Sequence, residues 1–114
     1  MFLINEVEQL EQGYKKAKSE LSNITHINGY PNYPKAISEF MGSLYSLPWG
    51  ISSYEPSKTK AIIESIEFAS ENDIRNVLMH ASRSERFGDG IWCSILEGEF
   101  FPKVIARAYE LAKT

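Results

Sequence analysis

A chain of 114 residues and 13.0 kDa, 43% hydrophobic and 24% charged, has the make-up of one ordinary globular domain with a single core. That composition excludes a disordered tail, a collagen-like repeat and a membrane span. The net charge of −3 goes with no basic stripe. Lys15-Lys16-Ala17-Lys18 is interleaved with Glu11 and Glu20 and reads as a solvated helix face, so nucleic acid is disfavoured as a partner.

The opening Met1-Phe2-Leu3-Ile4 is too short for the apolar part of a signal peptide. Cys93 is the only cysteine and allows no intrachain disulfide. A cytoplasmic location without membrane attachment is therefore expected. Cys93 itself reads as a small buried residue between Trp92 and Ile95. His26, His80 and Cys93 lack the spacing of a zinc site, so neither metal nor cofactor is expected.

Apolar residues recur at helical spacing almost throughout, and no stretch alternates at period two. Val7, Leu10, Tyr14, Ala17 and Leu21 form the stripe of a first helix, about Glu6 to Ser22, with Asn5 and Glu8 as a capping box. Gly13 weakens that helix without breaking it. Asn28 to Pro34 reads as a stiff, aromatic connection, extended at Tyr30 and Tyr33 because each precedes a proline. Pro34 opens a second helix with Ile37, Phe40, Met41, Leu44 and Leu47 inward, ended by Pro48. A second aromatic loop follows, to Pro56.

From Ser57 to Phe87 there is no proline or glycine. The stripe of Ile62, Ile63, Ile66 and Ala69 nevertheless loses phase at Asp73, and Ser70-Glu71-Asn72-Asp73 reads as a new cap. The spacing predicts two helices, 57–69 and 71–85. A fifth, with Ile91, Trp92, Ile95 and Leu96, is capped by Asp89 and stopped at Gly98. A sixth carries Pro102 in its first turn and Val104, Ile105, Ala108, Leu111 and Ala112 inward. The expected fold is all-α: a single domain, 1–114, forming a compact bundle of five to six short helices with irregular or orthogonal packing.

Chemistry concentrates in Arg83-Ser84-Glu85-Arg86-Phe87-Gly88-Asp89-Gly90, at the corner between the fourth and fifth helices. All four arginines (Arg75, Arg83, Arg86, Arg107) lie in the second half, so fixed ion pairs are expected there. The favoured reading pairs Glu85 and Asp89 with Arg83, Arg86 or Arg107 as internal scaffolding. The functional reading makes Arg83, Glu85, Arg86 and Asp89 a binding site for an anion or small molecule at the start of the fifth helix. Catalysis is not expected: His80 and Glu85 fall about 140° apart on one helix. Ser82 and Ser84 lack the partners of a nucleophile.

Arg83-x-Glu85-Arg86-Phe87-x-Asp89-Gly90, followed by an apolar helix and Gly98, resembles an uncharacterised bacterial domain-of-unknown-function family, number 6508. The likeness covers roughly residues 74 to 111 and extends weakly to Pro48-Trp49. It implies an intracellular bacterial or phage protein, mostly helical, and brings no assigned activity.

Tyr30, Tyr33, Trp49 and Tyr54 gather in the two irregular stretches, as lids over the bundle or as interface aromatics. The expected function is a small binding or regulatory module acting through a protein partner or as a homo-oligomer. The alternative is a ligand-binding protein or enzyme centred on the arginine corner.

Overall fold

The computed structural model describes residues 1–113. Its helices are α1 (Ile4–Ser19), α2 (Lys35–Ser43), α3 (Thr59–Glu64), α4 (Glu71–Arg83), α5 (Ile91–Glu97) and α6 (Phe100–Leu111). A two-stranded antiparallel hairpin, β1 (Thr25–Ile27) and β2 (Tyr30–Asn32), stands between α1 and α2. The fold is mostly helical, in the short, irregularly packed elements expected.

α1, α2, α4 and α6 bury most of the stripe that the sequence sets out, whereas α3 fully buries only Ile62 and α5 only Leu96 of theirs. Val7, Leu10, Tyr14 and Ala17 of α1 meet Ile37, Phe40 and Met41 of α2 and Val104, Ile105 and Ala108 of α6 in one core. α4 lies at the centre, with Ile74, Asn76, Val77, Leu78, Met79, Ala81 and Ser82 all buried. Ser70 caps it: the Asp73 N–H donates to Ser70 Oγ and the Ser70 N–H to Asp73 Oδ2, both at 3.1 Å. The phase shift read at Asp73 is therefore a true helix boundary.

Several expectations change. α1 starts at Ile4, and Glu6 rather than Glu8 reaches back to a backbone N–H, that of Leu3 at 2.8 Å. The stiff connection is a hairpin, because Asn28 (φ 54°) and Gly29 (φ 84°) are both left-handed, as a two-residue turn of this hand requires. Three-residue strands are too short to show alternation; the Asn-Gly pair was the readable signal. α2 ends at Ser43, leaving Leu47 89% exposed instead of inward. The third predicted helix is one short helix, α3, flanked by 3-10 turns at Pro56–Lys58 and Ile66–Phe68. Cys93 is half-buried, with its thiol donating to Glu97 Oε1 at 3.4 Å, so it is not a core residue.

Trp49 also departs from its expected place. It is 6% exposed, packed on the fully buried Phe2 with ring centroids 4.9 Å apart, and so is core rather than an interface aromatic. The loop that carries it is strapped to α4 by polar bonds. Arg75 Nε donates to the Pro48 carbonyl at 2.7 Å, and Asn76 takes the Glu55 N–H (2.7 Å) while donating to the Glu55 carbonyl (3.0 Å). Burial of the loop's aromatic thus leaves those backbone groups satisfied.

The first turn of α4 also anchors the chain start. The Phe2 N–H donates to Glu71 Oε2 at 2.6 Å, and the N-terminal ammonium lies 3.1 Å from Oε1. Burial alone would raise the Glu71 carboxyl, but that N–H, the ammonium and Arg75 together hold it below the ordinary carboxylate range. A depressed carboxyl stabilises the fold above its unfolded pKa, and this contribution is lost as pH falls through the folded one. Below about pH 4, wild type is therefore expected to lose more melting temperature than Glu71→Gln does. Parallel pH–melting curves for the two proteins would contradict this.

Candidate functional site

After α4 the chain tightens into a 3-10 turn, Ser84–Phe87. Gly90 then adopts φ 89°, a left-handed conformation that suits glycine, and swings the start of α5 back toward that turn. The first N–H groups of α5 consequently face Glu85. Its Oε2 accepts from the Gly90 N–H at 2.8 Å and its Oε1 from the Trp92 N–H at 2.9 Å. Glu85, not Asp89, caps α5. An incoming anion would find both donors taken.

The four candidate residues accordingly separate. Among the described residues, neither Arg83 nor Arg86 forms an ion pair with Glu85 or Asp89. Arg83 lies over the Tyr54 ring, 5.3 Å from its centroid, in a cation–π contact. Arg107 gives Nε to the Ala69 carbonyl at 2.9 Å and sits 3.8 Å from Glu110. Arg86 and Asp89 are exposed. The arginine–carboxylate lattice expected at this corner does not form. The scaffold is Glu85 on backbone N–H groups, while the internal arginines serve carbonyl oxygens and a ring.

Tyr54, half-buried, directs its hydroxyl to His80 Nδ1 at 2.8 Å. Burial pushes the Tyr54 pKa up against the opposing pull of Arg83, and lowers that of His80. A neutral His80 accepts this bond at Nδ1 and carries its proton on Nε2. The serines beside it are committed: Ser82 Oγ donates to the Met41 carbonyl (2.6 Å) and Ser84 Oγ to that of Ala81 (2.7 Å). Tyr33 packs against Trp92, with centroids 5.2 Å apart. Among the described residues its buried hydroxyl meets no hydrogen-bond partner, and burial together with the nearby Glu85 carboxylate raises its pKa. Tyr30 stays 64% exposed on the hairpin.

What the corner does present is a groove of about 390 Å³, open to solvent, between the end of α2 and the start of α5. Gly42, Tyr45, Ser82, Glu85, Arg86 and Trp92 line it. Its buried polar groups are already satisfied, since the Trp92 indole N–H serves the Ala81 (3.1 Å) and Ser82 (3.2 Å) carbonyls. A groove of similar size near α6 has Lys15 in its lining, but that lysine pairs with Glu11. Arg86 is different: among the described residues it has no carboxylate partner. Neither Gly42 nor Tyr45 carries a signal in the sequence: Gly42 lies off the apolar stripe of α2 and Tyr45 in the turn after it, where only exposure distinguishes a binding surface from solvated filler.

Helical corner, groove and motif together belong to a small, mostly helical protein. The chain matches the model of a family of unknown function, DUF6508, over residues 3–114, and it belongs to that family. The match reaches from the first turn of α1 to the chain end, well beyond the stretch that carries the arginine motif. No curated protein and no solved structure matches the chain. Among the described residues no helix is long and apolar enough to cross a membrane, and no three His, Cys, Asp or Glu side chains could hold a metal ion.

Proposed function

We propose that this protein is a binding module acting through protein–protein contact, with the groove at the α4–α5 corner as its docking face. The carrying observation is Arg86: an exposed guanidinium that has no carboxylate partner among the described residues, in one groove with the rings of Tyr45 and Trp92 and next in the chain to Phe87, which is 73% exposed. Arginine and aromatic side chains on the rim of an apolar groove are the groups that supply most binding energy at protein interfaces. The enzyme alternative draws no such support, because Ser82, Ser84 and Glu85 all give their polar atoms to backbone groups. A single free thiol fits a module residing in the cytoplasm of a bacterium or phage-infected cell.

The test is affinity capture from source cells with wild type and the double variant Arg86→Ala/Phe87→Ala. Both side chains are exposed, so stability should change by less than about 0.5 kcal/mol. A protein retained by wild type should be held about tenfold more weakly by the variant. Equal retention by both would overturn this reading.

A further inference from the structure

Given the corner as a docking face, we propose that its occupant is a second copy of this chain. The two copies form a two-fold symmetric dimer in which Phe87 of each enters the Gly42–Tyr45–Trp92 groove of the other and Arg86 meets the partner's Asp89. A two-fold interface needs one patch that complements itself. This patch does so in shape: Phe87 projects from the chain position next to Arg86, which lines the groove. A hollow of about 390 Å³ has room for a phenyl ring, since even a ~150 Å³ apolar cavity accepts benzene. Gly42 leaves the space open, for a Cβ added there would meet nothing within 4 Å. With the groove's indole N–H and Ser82 hydroxyl bonded internally, an apolar ring strands no polar group.

The patch also complements itself in charge. Arg86 and Asp89 are exposed, carry opposite signs, flank Phe87 in the chain and form no ion pair among the described residues. A two-fold axis sets each against its opposite. A patch of one sign would instead repel its own copy. Hence one short segment, residues 86 to 89, carries the knob and both charges beside a residue that lines the hollow, and a foreign partner would have to supply the ring and the opposite charges again.

Sedimentation across a concentration series, at low salt, tests this on the full chain. Wild type should approach twice 13.0 kDa as concentration rises. Arg86→Glu and Asp89→Arg should each sediment as monomers, and an equimolar mixture of the two should recover the dimer, because every contact in the mixed pair again joins opposite signs. Gly42→Leu fills the hollow without a clash in a helix that accepts leucine well. It should melt no lower than wild type yet remain monomeric, which separates lost association from lost folding. A wild type that stays monomeric into the submillimolar range would overturn the dimer. So would two single variants that fail to associate when mixed, or a Gly42→Leu protein that still dimerises. Monomeric wild type that still captures another protein through Arg86 and Phe87 would end the second-copy proposal and leave the docking face standing. Monomeric wild type with capture unaffected by those substitutions would end both.

Discussion

Glu85→Ala is expected to cost about 1.5–3 kcal/mol, the range for hydrogen bonds made to a charged group, and to lower the melting temperature by roughly 10 °C. The carboxylate supplies both acceptors for the Gly90 and Trp92 N–H groups, and no other side chain among the described residues caps α5. Truncation leaves two donors facing a half-buried corner, where water can replace the carboxylate only in part. Glu85→Gln keeps one carbonyl oxygen and turns an amide N–H toward the second donor, so about half of the loss should remain. Urea unfolding reads both values, and amide exchange at Gly90 and Trp92 should accelerate in the same order. If Asp89→Ala costs more than Glu85→Ala, the assignment of the cap is wrong.

Phe101→Ala should be costlier still, about 3–5 kcal/mol, because it removes a large buried ring and leaves a cavity. Phe101 is fully buried on α6 and is the aromatic hub of the core. Its ring lies 5.2 Å from Tyr14 of α1, 5.1 Å from Phe40 of α2 and 4.9 Å from Phe100, so one side chain joins three helices. The neighbours cannot easily collapse inward. The Phe40 ring already lies against Gly13, where an added Cβ would come within 2.8 Å of it. Gly13 is thus the contact that lets α2 approach α1, more than the weak point its helix propensity suggests. Against a total stability of about 5–15 kcal/mol, the Phe101 variant should retain little of its fold at elevated temperature. Phe101→Leu should lose no more than about 1.5 kcal/mol. Equal midpoints for Phe101→Ala and the exposed control Phe68→Ala in a urea titration would show that the ring is not the hub.

The sequence by itself determined the order of the six α-helices and most of the residues that they bury. The phase loss at Asp73 placed the start of α4, and the stripes of α1, α2 and α6 named most of their core residues, though not Phe101, because helical periodicity is a property of neighbours three and four positions apart. The tertiary structure alone decided what the polar and aromatic groups do. Arg75 reaches Pro48 27 positions away, Arg107 reaches Ala69 38 away, and Glu71 takes the Phe2 N–H across 69. Trp49 is core because Phe2, from the start of the chain, covers it. At the corner even nearby residues were undecidable from composition: Glu85 and Asp89 both stand near α5. The left-handed turn at Gly90 sets the first N–H groups of the helix against Glu85 and leaves Asp89 in solvent. Which of two carboxylates is used depends on the direction in which the backbone returns, and that direction is fixed by packing at a distance.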